Sequence, residues 1–158
     1  MSPFILLSPA EIESGLMQEK RTLQNFPKTV TFPFSERYKT LVTQIKTTEI
    51  SSEAILYNAV EAFNENKEFD LQEYWCFAGN GQGDRWFLNK DQCIFFYDHD
   101  YDKKLKSMDI NFEEWLQMAF VIRQLDAYDK IPESVKQEFY KALNTIHPKL
   151  NTSYPFTL

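Results

Sequence analysis

Glycine is scarce in this chain: four in 158 residues. Three of them, Gly79, Gly81 and Gly83, fall in one short stretch between two aromatic clusters. Histidine and cysteine number two each, and no Cys/His pair has zinc spacing, which weakens the case for a metal site. Cys76 and Cys93 both sit in apolar aromatic runs, where a free thiol behaves as a small buried hydrophobe; reduced core cysteines are expected rather than a disulfide. Cations are outnumbered, 17 Lys and Arg against 23 Asp and Glu, for a formal net charge of -6 and a pI near 5.0. Such a surface repels a phosphate backbone, which disfavours nucleic acid and anionic membranes and favours a basic partner. Long hydrophobic runs are missing too. The opening MSPFILLSPAEIE lacks a basic n-region, and its apolar run is too short for a signal peptide or a membrane span, so the expected location is cytoplasmic. No Gly-x-Ser-x-Gly elbow exists, and no cysteine has a histidine nearby in sequence, so nucleophilic catalysis has little to work with.

Aromatic residues are plentiful at 16%, led by fourteen Phe and eight Tyr. The length suits one domain, 1–158, with a substantial core, and aromatics left outside that core would favour a protein-binding face. Ser8-Pro9-Ala10-Glu11 carries a capping Ser, Pro at the first helical position and Glu three residues after the Ser, so a first, extra helix is expected over about residues 8–25. Its apolar stripe is Ile12, Leu16 and Leu23. Ser35 can cap a second helix with Tyr38, Leu41, Val42 and Ile45 on one side. Ser51 or Ser52 can cap a third, with Ile55, Leu56, Ala59, Val60 and Phe63 as its stripe.

The texture changes near Phe69, where aromatic and β-branched residues group into short runs separated by turn residues. Strands are expected over about 73–78, 85–89 and 93–98, and their short connections permit only antiparallel pairing. Asn111 with Glu114 forms a capping box ahead of Phe112, Trp115, Leu116, Ala119 and Ile122. A last helix opens at Ile131-Pro132-Glu133 and stops at His147-Pro148. The tail, 149–158, has no periodic pattern and is expected to be extended or disordered.

Two stretches carry chemistry. The glycine run could cradle a phosphate or reverse a hairpin. After Gly83 come Asp84, Arg85 and the strand-like Trp86-Phe87-Leu88, so no helix N-terminus is available for a phosphate, and a hairpin with positive-φ glycines is favoured. In Asp98-His99-Asp100-Tyr101-Asp102 the carboxylates and imidazole suit a divalent metal, or form an exposed turn. An enzyme using Asp98, His99 and Asp100 is the alternative to a binding module; no metal, cofactor or catalytic residue is otherwise assigned.

From Phe77 onward the order FAGNGQGDRWFLN, then CIFFYDHD, then NFEEWL resembles the SUKH superfamily, which includes the fungal cell-wall regulator Smi/Knr and many bacterial immunity proteins. In that family a strand ending in Phe-Ala leads through a Gly-Asp turn to an aromatic strand. A strand ending in Asp-His follows, then a helix starting Ser-Phe-Glu-Glu-Phe/Trp-Leu. Phe77-Ala78, Gly83-Asp84, Trp86, Asp98-His99 and Phe112-Glu113-Glu114-Trp115-Leu116 match, and Asn111 replaces the capping Ser. The resemblance implies an α+β fold: an antiparallel-rich sheet of about four to six strands packed against N- and C-terminal helices, the class that helices on both sides of a run of strands also give. It implies a non-enzymatic immunity protein that binds and neutralises a toxin, often a nuclease, or else a regulatory scaffold. The acidic balance makes that toxin a basic one. Asp84, Asp98, Asp100 and Asp102 would supply charge, with His99 among them. Trp86 and Tyr101 would serve as aromatic anchors, although Trp86 also reads as a core sheet residue; Trp75 and Trp115 belong to the core.

Overall fold

The computed structural model describes residues 2–69, 71–100 and 104–158. In chain order the elements are α1 (Pro9–Lys20), α2 (Glu36–Val42), β1 (Thr48–Ser51), β2 (Ala54–Leu56), α3 (Ala59–Asn66) and β3 (Tyr74–Gly79). Then come β4 (Arg85–Asn89), β5 (Cys93–Tyr97), β6 (Leu105–Asn111), α4 (Phe112–Leu125), α5 (Glu133–Ile146) and α6 (Leu150–Ser153). The six strands form one antiparallel sheet in sequence order, β1-β2-β3-β4-β5-β6, so the fold is α+β.

The local signals at the helix starts work as the side chains dictate. Ser8 accepts from the Glu11 N–H while Glu11 reaches back to the Ser8 N–H, and Asn111 and Glu114 repeat the arrangement at α4. Ser35 caps α2. Ile12 and Leu16 bury as expected, but α1 ends at Lys20, and Leu23 lies outside it, 70% exposed.

The region read as a third helix from Ser51 or Ser52 is instead the hairpin β1–β2 followed by α3, which Asn58 caps. Tertiary bonding decides this. Ser52, a capping candidate, gives its N–H and its hydroxyl to the Asp126 carboxylate at the end of α4, at 2.8 and 2.7 Å. Ile55 and Leu56 pair with Gly79 and Ala78 of β3. Val60, expected on the apolar stripe, is 48% exposed.

One face of the sheet lies against α4. Trp115 packs edge-on to Phe77 at 4.8 Å and to Trp86 at 6.1 Å, and strand alternation brings Leu88, Ile94 and Phe96 to the same side. Alternation also turns Cys93 outward, so of the two cysteines only Cys76 is buried. On the other face Phe87 is buried with Phe69 at 5.2 Å and Tyr97 at 6.1 Å. Asn66 at the end of α3 clasps the Cys76 backbone on both its N–H and C=O.

The C-terminal tail is ordered by packing rather than extended. Leu150 and Tyr154 are buried, and Phe156 sits 5.1 Å from Phe96 and 6.1 Å from Trp86, over the β4–β5 pair.

Candidate docking site at the hairpin end of the sheet

The glycine run closes the β3–β4 hairpin, with Gly79 paired to Arg85. Of its three glycines only Gly83 has positive φ, at 96°. A Cβ at Gly79 would collide with the Tyr57 hydroxyl, whereas Gly81 stands in open space. The three therefore serve different ends: a left-handed turn residue, a close approach and an exposed loop tip.

Asn80 organises this turn. Its side-chain carbonyl accepts from Gln82 N–H at 3.0 Å and Asp84 N–H at 3.1 Å, an Asx turn closed on itself. Its amide group donates to the Asp84 carboxylate at 3.0 Å and to Glu53 Oε1, in the β1–β2 turn, at 3.1 Å. The Glu53 carbonyl in turn accepts from the Trp86 indole at 2.8 Å. One asparagine thus joins two hairpin turns.

The pairing of Arg85 with Tyr97 brings Asp84 level with the end of β5. Asp84 Oδ1 accepts from the His99 N–H at 3.2 Å and lies 2.7 Å from His99 Nδ1. His99 Nε2 lies 3.2 Å from Asp100 Oδ1, and Asp98 accepts from the Asp100 N–H at 2.9 Å. Burial works against the charged Asp84, but the bonds from Asn80 and His99 outweigh it and hold the carboxyl below its ordinary value. The hydrogen bond to Asp84 is the main cause that raises His99, with the Asp100 charge adding to it. Glu53 goes the other way: burial pushes it up, the Asn80 bond opposes, and the Asp84 and Asp126 charges reinforce the rise.

These positions redistribute the expected site residues. Asp98, His99 and Asp100 form one turn, with the Asp100 side chain 83% exposed. Asp84 does not face a partner: its side chain is only 8% exposed and underpins that turn from below. Trp86 is not a surface anchor, because alternation points it inward against Phe96 at 4.8 Å and buries it completely. Tyr101 and Asp102 lie outside the described residues. Sequence reading missed Asn80 and Glu53. The Asx-turn preference of Asn before Gly could have found the first; the second was hidden by the helix assigned across β1 and β2.

Chemically, the imidazole is flanked by a carboxylate on each ring nitrogen, an arrangement that favours the cation over a free base. Asp84, Asp98 and His99 each bring a ligand-type atom within 4.8 Å of the others, so the metal-suited trio includes Asp84 in place of Asp100. Coordination there would compete with the Asp84–His99 bond. The surrounding carboxylates of Glu53, Asp84, Asp98 and Asp100 make this end of the sheet acidic. No helix among the described residues is long and apolar enough to cross a membrane. No protein-family model, curated protein or solved structure matches the chain.

Proposed function

We propose that this chain is a cytoplasmic, non-enzymatic binding domain of the SUKH type that neutralises a basic toxin domain by docking its Asp98-His99-Asp100 turn against it. The observation that carries the reading is that turn: an exposed carboxylate beside an imidazole, held by the buried Asp84–Asn80 pair on a rigid sheet. Preformed negative charge of this kind steers a cationic partner and lowers the ordering cost of binding. The resemblance adds support, since its residues fall on the end of β3 (Phe77-Ala78), the turn (Gly83-Asp84), the inner side of β4 (Trp86), the turn just after β5 (Asp98-His99) and the start of α4 (Phe112 to Leu116). The test is co-expression with the toxin encoded beside its gene. Survival of cells that die with the toxin alone is the expected result; equal killing ends the proposal.

A second reading follows from the spacing of Asp84, Asp98 and His99. Two carboxylates and an imidazole suit a divalent cation such as manganese or zinc, which would make the same turn a metal-dependent active site. Metal analysis of the purified protein, with thermal melts before and after chelation, separates the two: a stoichiometric ion whose removal lowers the melting temperature favours the enzyme.

A further inference from the structure

The opposite end of the same hairpin opens onto a cavity of about 590 Å³. It lies the length of β4 away from the acidic turn, five residues or roughly 16 Å. Its lining mixes aromatic side chains, among them Phe32, Phe63, Phe69 and Trp75, with polar ones such as Thr31 and Gln72. These walls are preformed. Phe32 is stacked in a tilted cluster with Phe34 at 5.4 Å and Trp75 at 6.1 Å, and the Trp75 indole is fixed by its 2.9 Å bond to the buried Tyr38 hydroxyl. Gln92 in the β4–β5 turn donates to the Pro33 carbonyl at 2.7 Å and accepts from the Ser35 N–H at 3.1 Å, which pins the Phe32-Pro33 segment across the end of the sheet.

Among the described residues that line the cavity, the only charged side chains are Lys67 and Lys90, in a protein whose formal net charge is -6. The Lys67 ammonium is held 4.8 Å above the Phe63 ring, a cation–π contact that places it against the aromatic wall. Its backbone follows Asn66, which is fastened to β3 at the Cys76 carbonyl and N–H. Lys90 lies 3.4 Å from Glu73, but both side chains are largely exposed, and a pair of this kind is worth little and is readily exchanged for another anion.

The geometry points to a binding site for a small aromatic carboxylate, its ring laid against the Phe and Trp walls and its carboxylate taken by Lys67 and Lys90. The volume falls within the roughly 300–1,000 Å³ typical of small-molecule sites, and aromatic lining with a few placed polar groups is their usual chemistry. Nothing in this site overlaps the docking turn, so loss of one leaves the other standing.

The test uses 1-naphthylacetate as probe, its amine counterpart 1-naphthylmethylamine as control, and the intact protein. Ligand-observed saturation-transfer NMR should show transfer to the anion and none to the amine. Calorimetry should show the anion bound about fivefold to tenfold more weakly by K67E/K90E, two exposed ion pairs having been reversed, with K67Q/K90Q in between. Both lysines are exposed, so the variants should stay folded, K67E/K90E melting slightly below the wild type because it removes the Lys67–Phe63 contact at the end of α3 and places a carboxylate beside Glu73. No transfer to the anion, equal transfer to the amine, or unchanged affinity in K67E/K90E would each overturn the assignment.

Discussion

The two ends of the β3–β4 hairpin are held by different physics. At the Gly79–Arg85 end the chain turns through hydrogen bonds: Asn80 alone makes four side-chain contacts, and the buried Asp84 is satisfied by Asn80 and His99. At the Tyr74–Asn89 end rings predominate: Phe26, Phe32, Phe34 and Tyr38 gather around Trp75, and Gln92 and Asn89 supply hydrogen bonds at the edge. The polar end is directional and fixes one loop shape. The aromatic end is non-directional and leaves a cavity where the rings fail to fill space. The proposed docking turn and the proposed small-molecule pocket correspond to those two kinds of cohesion.

Removing the centre of the aromatic end should cost most. Trp75→Ala deletes the shared partner of three rings and orphans the Tyr38 hydroxyl, and about 3 to 5 kcal/mol of stability should disappear in urea unfolding. A loss below about 1 kcal/mol would mean that the cluster does not organise this end. Asn80→Ala at the polar end should cost less, about 2 to 3 kcal/mol, because solvent can reach part of the broken turn while Asp84 and Glu53 lose donors. If Asn80→Ala proves worse than Trp75→Ala, the ranking of the two ends is reversed.

Within the polar end the glycines sort themselves further. Gly83→Ala should cost about 1 to 2 kcal/mol, because L residues resist positive φ, while the new Cβ would meet the His99 ring only at the ordinary contact distance of 3.4 Å. Gly81→Ala, with open space around it, should stay within about 0.5 kcal/mol of the wild type. Equal effects from the two would show that the turn is looser than its hydrogen bonds imply.

The Asp84–His99 pair gives the smallest effect and the sharpest signature. The His99 value is raised above 6.5, so its contribution is fully present below that pH and fades as pH rises through the elevated folded value. The Asp84 value is lowered below 3.8, so its contribution is present above that pH and fades as pH falls through the depressed folded value. The contact is therefore strongest between the two, under mildly acidic conditions. An NMR titration of the His99 ring should place its midpoint above 6.5 in the wild type and bring it down toward 6.5 in Asp84→Asn. A midpoint that ignores the substitution would remove Asp84 as the cause.

What the sequence alone makes legible is whatever neighbouring residues decide. The capping boxes at Ser8–Glu11 and Asn111–Glu114 bond within four residues, and the strands around Trp75, Trp86 and Phe96 carry dense aromatic runs, so both were legible. The β1–β2 hairpin was not, since Ile55 and Leu56 fit a helix stripe equally well until β3 pairs with them. Nor was the order of the tail, which depends on Phe156 meeting Phe96 and Trp86 from far along the chain. In the candidate site Asp98, His99 and Asp100 were visible as a charged turn; that Asp84 is the buried support and Trp86 an inward residue depends on strand register, which adjacent residues do not reveal.

The proposed docking turn is tested most directly by the affinity of Asp98→Lys/Asp100→Lys for the proposed basic toxin partner, measured by calorimetry at low salt. Reversal of two charges at the turn should weaken binding by about tenfold or more, with the loss shrinking as salt is added. Unchanged affinity at low salt, in a variant that melts like the wild type, would contradict the assignment of this turn as the docking surface.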